Sequence, residues 1–157
     1  MIKIKNLYFK YEEDLVLKDI NLEIKEGSFT AIIGANGSGK TTLAKHFNAL
    51  LMPAKGEVFV GGISTKKDEL NARKKVGFVF QNFEDQLVYS VVEEDIAFGL
   101  ENLELSNEEI KNKTNEVLEA LNITHLAKRN VNTLSMGQRQ LVALAGVLAM
   151  EPKCIVF

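Results

Sequence analysis

Apolar and polar positions alternate from the start of the chain. Ile2, Ile4 and Tyr8 fall on one side, and Ile20, Leu22 and Ile24 repeat the pattern after a polar turn at Glu12-Glu13-Asp14. A period of two predicts antiparallel strands with one face in water. Glu57-Val58-Phe59-Val60 followed by Gly61-Gly62 adds a further strand and turn. Phe29-Thr30-Ala31-Ile32-Ile33 and Val76 to Phe80 are nearly unbroken apolar runs, which predict strands buried on both faces. The period then changes. Glu93 to Leu100 can be helical, and Ser106-Asn107-Glu108-Glu109 has the form of a capping box opening a helix whose Ile110, Val117, Leu118 and Leu121 share one face. Leu141, Leu144, Ala145 and Leu148 repeat at helical spacing, and Lys153-Cys154-Ile155-Val156-Phe157 again has the build of a strand. With no internal repeat, low-complexity run or flexible linker, these elements belong to one unit.

Gly34-Ala35-Asn36-Gly37-Ser38-Gly39-Lys40-Thr41 interrupts this pattern between an apolar run and the helix start Thr42-Leu43-Ala44-Lys45-His46-Phe47. It has the form of a P-loop, G-x-x-x-x-G-K-[ST], in the strand-to-helix setting that such a loop requires. Gly37 and Gly39 permit left-handed backbone angles, so that successive N–H groups can turn toward phosphate oxygens. The helix behind adds the positive end of its dipole. Lys40 can reach the terminal phosphates, and the Thr41 hydroxyl suits magnesium, a hard cation that takes oxygen ligands. A nucleoside triphosphate is the expected ligand.

Composition narrows the setting. The chain has 157 residues, 46% of them hydrophobic, enough for one ordinary domain with a core. A net charge of -2 gives no electrostatic reason to expect nucleic acid. Cys154 is the single cysteine and sits in an apolar run, which reads as a buried inert thiol compatible with a reducing cytoplasm. The stretch Leu141 to Met150 is too short to span a membrane and the N-terminus lacks the form of a signal peptide, so membrane association is expected through a partner. His46 and His125 lack metal-ligand spacing and read as ordinary helix and loop residues. The acidic group Glu84, Asp85, Glu93, Glu94 and Asp95 invites a catalytic reading as paired carboxylates, but reads more simply as solvated surface. Leu134-Ser135-Met136-Gly137-Gln138-Arg139-Gln140 has a plain explanation too, since Ser135 and Gln138 have capping-box spacing.

The order of P-loop, Val79-Phe80-Gln81-Asn82, Leu-Ser-x-Gly-Gln-x-Gln and apolar strand resembles the nucleotide-binding domain of ATP-binding cassette (ABC) transporters along essentially the whole chain. Gln81 to Leu87, Val92 to Gly99 and Ala145 to Met150 are similar to the ATPase subunits of energy-coupling factor importers, which drive uptake of cobalt, nickel or vitamins. The resemblance implies an α/β P-loop NTPase fold with a mainly parallel sheet flanked by helices, an antiparallel β part and a helical subdomain. It divides the partial cassette 1–157 into a nucleotide-binding core over 1–85, the helical subdomain over 86–135, and the signature helix with a final strand over 136–157.

By the same resemblance ATP with Mg2+ binds to Gly34, Ala35, Asn36, Gly37, Ser38, Gly39, Lys40, Thr41 and Thr42. Tyr11 stands where an aromatic ring stacks on adenine, with Tyr8 or Phe9 as substitutes. Lys40 and Gln81 take catalytic roles, Thr41 and Gln81 face the metal, and Gln81 relays contact with membrane subunits. Ser135, Met136, Gly137 and Gln138 face the γ-phosphate held by a second protomer in a head-to-tail pair, homo- or heterodimeric, with Met136 replacing the usual glycine. The acidic region docks on an integral membrane partner at the cytoplasmic face of the cell membrane. The family's magnesium aspartate and water-polarising glutamate follow the strand that Phe157 ends, so the expectation is an incomplete cassette that binds ATP with slow or absent hydrolysis. A non-catalytic nucleotide-binding remnant and a soluble ABC protein outside transport stay as alternatives.

Overall fold

The computed structural model describes residues 1–157. They form two compact units, Met1–Val76 with Val156, and Gly77–Ile155 with Phe157.

In the first unit β1 (Ile2–Tyr11) and β2 (Asp14–Ile24) make a long antiparallel hairpin. β3 (Lys55–Val60) pairs with the other edge of β1, and β4 (Ile63–Ser64) returns through Gly61 and Gly62, giving the order β2-β1-β3-β4. Ile2 lies opposite Ile24 and Val60, and Ile4 opposite Leu22 and Val58. Cross-strand apolar pairs of this kind hold the buried face together. The alternation does not continue to Tyr8. Asn6 and Asp19 take left-handed φ values of 47° and 50°. Asn6 N donates to Asn21 Oδ1 and Asn6 Nδ2 to Asp19 Oδ1, both at 2.9 Å. This bulge shifts the phase by one residue, so Leu7 is fully buried and Tyr8 only half-buried. β3 crosses the bulge so closely that a Cβ on Gly56 would stand 2.1 Å from the Asn6 carbonyl oxygen.

The run Phe29–Ile33 does not form the buried strand that its composition predicts. Neither sheet includes it, and Phe29 and Ile33 are 98% and 92% exposed. An apolar run marks residues suited to burial, but a central strand also needs backbone partners on both sides. Helices α1 (Lys40–Phe47) and α2 (Glu69–Lys74) complete the unit. Asp68 caps α2, accepting from Asn71 N at 3.2 Å, and Arg73 donates to the Ala49 carbonyl at 3.0 Å just beyond α1.

β5 (Val76–Phe78) and β6 (Cys154–Val156), with Gly77, Phe78, Cys154 and Ile155 in the second unit, form a two-stranded sheet. β5 stops short of the apolar run to Phe80, because the Phe80 amide donates to the Gln86 side chain at 3.2 Å instead of a strand. Helices α3 (Val92–Glu101), α4 (Asn107–Ala120) and α5 (Met136–Ala149) pack around Val92, Ile96, Leu100, Leu118, Val142 and Ala145. The Ser106–Glu109 capping box is complete, and Val117 and Leu118 are buried with Ile110 and Leu121 packed beside them. Gly77 lets α5 approach β5, since a Cβ there would meet Val147 Cγ1 at 2.3 Å. Cys154 is half-buried, and burial raises its thiol pKa, which keeps it protonated and unreactive.

Candidate nucleotide-binding site

The loop Gly34–Gly39 is wrapped. Gly37 and Gly39 take φ values of 79° and 87°, which L-residues with a side chain adopt only under strain. Ser38 N donates to the Ala35 carbonyl at 3.2 Å, and a Cβ on Gly34 would stand 2.8 Å from Ser38 Oγ. Gly39 is the N-cap of α1 and contributes no side-chain acceptor, so the first-turn amides of Lys40, Thr41 and Thr42 stay available to an anion. Gly39 also has no room for a larger residue, because a Cβ would meet Leu17 Cδ2 at 3.1 Å and Val16 Cγ1 at 3.3 Å on β2. Lys40 folds back over the loop, its Nζ donating to the carbonyls of Gly34 at 2.9 Å and Ala35 at 2.8 Å. The ammonium therefore stands over the loop with its carbonyl contacts on one side, and the loop, Asn36 included, is open to solvent.

Tyr11 ends β1 and is 45% exposed. Its ring meets Phe9 in a T-shaped contact, centroids 4.9 Å apart at 88°. Phe9 in turn meets the His46 ring of α1 at 4.8 Å and 79°. Phe9 is thus occupied by packing and Tyr8 is half-buried, which leaves Tyr11 as the most open of the three candidate rings.

The other predicted residues lie in the second unit. Gln81 is exposed, three residues beyond the end of β5. Ser135 is the N-cap of α5 in a complete capping box. Its Oγ accepts from Gln138 N at 3.3 Å, while Ser135 N donates to Gln138 Oε1 at 3.0 Å. The local explanation of this motif is therefore realised, and it leaves the Ser135 O–H free to donate outward. Met136 is 65% exposed and Gly137 has open space around it.

Several residues carry more than their sequence patterns suggested. His46, read as an ordinary helix residue, is completely buried, with Nδ1–H donating to the Thr42 carbonyl at 2.7 Å and Nε2 unpartnered. Burial lowers its pKa, outweighing the opposing pull of the Thr42 and Met52 backbones. Asp95 belongs to no solvated surface. It is buried, and Oδ1 accepts from Val88 N at 2.6 Å and Tyr89 N at 2.8 Å. Its spacing of three from Val92 and one from Ile96 puts it on the buried stripe of α3, a signal that periodicity contains. Gln86 donates to the Ala143 carbonyl at 2.9 Å while holding the Phe80 amide. Glu84 pairs with Arg139 at 2.6 Å and Glu93 with Lys128, so these acids serve as surface and rim ties.

A wrapped P-loop heading a helix, a glutamine after an apolar strand and a capped Leu-Ser-x-Gly-Gln helix, in this order, define an ATP-binding cassette of the P-loop NTPase class. The ABC transporter family matches residues 17–157, and the chain belongs to it. Over its whole length it is 46% identical to the energy-coupling factor transporter ATP-binding protein EcfA1 of Clostridium novyi, of which it covers 59%. Its fold superposes on CbiO1 of Clostridium perfringens, part of the ABC transporter complex CbiONQ, with a TM-score of 0.86 and 37% identity. That match covers 98% of this chain and 63% of CbiO1. The dimeric ATP-binding cassette MJ0796 bound to ADP and Pi gives a TM-score of 0.84 and 34% identity, covering 99% of this chain and 72% of MJ0796. The chain spans about three fifths of the length of the EcfA1 relative. The α/β P-loop NTPase fold and the resemblance to energy-coupling factor ATPases both stand.

Proposed function

We propose that this chain is the nucleotide-binding part of an ATP-binding subunit of an energy-coupling factor importer, coupling ATP binding and hydrolysis to uptake of a metal ion or vitamin. The observation that carries the proposal is the posture of Lys40 over a loop whose Gly37 and Gly39 are left-handed, at the head of a helix with unoccupied first-turn amides. These amides and the ammonium suit the β- and γ-phosphates, and Tyr11 offers a ring face to the base. The Thr41 hydroxyl in the first turn of α1 is a neutral oxygen donor, which fits magnesium held mainly by phosphates and water. A magnesium ion held there would supply charge neutralisation to the phosphates, with the Thr41 hydroxyl as the protein oxygen offered to it. From the motifs that carry the family resemblance we assign the Gln81 amide to the attacking water, and the free O–H of Ser135 to the γ-phosphate of a nucleotide held by a second protomer.

Pairing with a second protomer accords with MJ0796, which is dimeric, and a membrane partner accords with CbiO1, which is part of a transporter complex. No helix of the chain is long and apolar enough to cross a membrane, so residence at the cytoplasmic face of the cell membrane would depend on such a partner. Calorimetric titration of the intact polypeptide with ATP and magnesium, alone and co-expressed with its membrane subunits, tests the proposal. Binding that Lys40→Ala weakens strongly supports it, and absence of binding or indifference to that substitution rejects it.

A further inference from the structure

We infer that His46 is a positioning residue for the base of the bound nucleotide, holding the Tyr11 ring in fixed relation to the P-loop through Phe9; this rests on the nucleotide-binding reading above. The P-loop ends in α1, and His46 lies six residues along that helix from Lys40, a rise of about 9 Å. Its Nδ1–H bond to the Thr42 carbonyl fixes the imidazole on the same turn that carries the phosphate-facing amides. The imidazole then meets Phe9, and Phe9 meets Tyr11, in two successive T-shaped contacts at 4.8 and 4.9 Å. Phe9 and Tyr11 are two apart on β1 and share a face of the strand. The result is a continuous stack from the last turn of α1, tied back to its first turn through the Thr42 carbonyl, to an exposed ring.

Filling the core does not account for the histidine. The imidazole is wholly buried with one strong bond, Nδ1–H to the Thr42 carbonyl, and burying a polar ring carries a cost that a leucine or phenylalanine of similar size would avoid. Tyr11 also needs support. It sits beside the hairpin turn, opposite Asp14 and next to Glu12 with its left-handed φ of 49°, where few other contacts restrain a ring. A platform that is already oriented loses less freedom when a base stacks on it.

The test compares ATP with inorganic tripolyphosphate, which offers the phosphates without the base, on the intact polypeptide with magnesium. His46→Leu and Phe9→Leu are each expected to weaken ATP about fivefold, the size of one aromatic contact, and to change tripolyphosphate less than twofold. His46→Phe restores the edge-to-face contact and is expected within about twofold of the parent on both ligands. The chain has no tryptophan and three tyrosines, so the part of the ATP-induced quenching of tyrosine emission that Tyr11→Ala removes reports the platform, and that part should diminish in the two leucine variants. In a Tyr11→Ala background, His46→Leu should have no further effect. Equal losses on ATP and tripolyphosphate would assign His46 to the stability of α1 alone and overturn the inference, as would unchanged ATP affinity in Phe9→Leu, the variant that decides if His46→Leu does not fold. Unchanged ATP affinity in Tyr11→Ala would remove the base platform itself, and failure of the parent protein to bind tripolyphosphate would remove the phosphate cradle; either outcome overturns the inference at its foundation.

Discussion

Asp95→Ala removes one buried carboxylate and leaves two amides, those of Val88 and Tyr89, without their acceptor at 2.6 and 2.8 Å. Hydrogen bonds to an ionised group contribute roughly 1.5–3 kcal/mol each, which sets a gross loss of about 3–6 kcal/mol. Val88 and Tyr89 are exposed, so the freed amides reach water once the loop loosens, and about half of that loss remains, about 1.5–3 kcal/mol. Asp95 also sits in the first turn of α3, where a negative charge adds about 0.3–1 kcal/mol through the helix dipole. Asp95→Asn keeps an acceptor oxygen but not the charge, and should cost about 1 kcal/mol. Amide hydrogen exchange resolved to residues 88 and 89 reads the loop without requiring two-state unfolding. An opening easier by about 2 kcal/mol speeds exchange about thirtyfold, and urea melts should show a matching loss. Exchange within threefold of the parent in Asp95→Ala, with an unchanged urea midpoint, would refute the account of Asp95 as the clasp of this loop.

Lys40→Ala should reduce ATP affinity about 30- to 150-fold, the worth of two to three kcal/mol of charge-assisted bonding, as read by calorimetry; a change below threefold would place the polyphosphate elsewhere. The lowered pKa of His46 means that the native protein holds the neutral ring while the unfolded chain takes up a proton below its ordinary value of 6.5. Its contribution to stability is therefore whole above about pH 6.5 and declines on acidification, and His46→Gln should flatten that part of the profile in urea melts at about pH 7.5 and 5.5. An identical slope in parent and variant would show that His46 takes up its proton when folded. Gly56→Ala should cost more than about 2 kcal/mol, since a Cβ meets backbone at 2.1 Å with φ at 84°. Gly62→Ala, at φ 81° with nothing within 4 Å, carries backbone strain alone and should cost about 1 kcal/mol; similar melting losses at the two sites would show that the close crossing of β3 over Asn6 does not matter.

The features that the sequence determined by itself are those whose physics is local. The P-loop is spelled by backbone angles that only Gly37 and Gly39 accept easily and by a lysine at the head of the next helix. The capping boxes at Ser106 and Ser135 are closed by residues three apart, and the β1–β2 hairpin follows from a period of two and a short polar turn. Tertiary structure decided what depends on partners far along the chain. Leu7 replaced Tyr8 in the core because Asn6 is pinned to Asp19 and Asn21, more than ten residues away. The apolar run Phe29–Ile33 shows the same dependence in reverse, being suited to burial yet exposed where no strand pairs with it. His46 and Asp95 were assigned to bland roles from sequence because a lone histidine or an acid among acids has no pattern of its own. Their roles come from a ring on β1 in one case and two loop amides in the other, and such groups gain meaning only when folding removes water and leaves one neighbour to satisfy them.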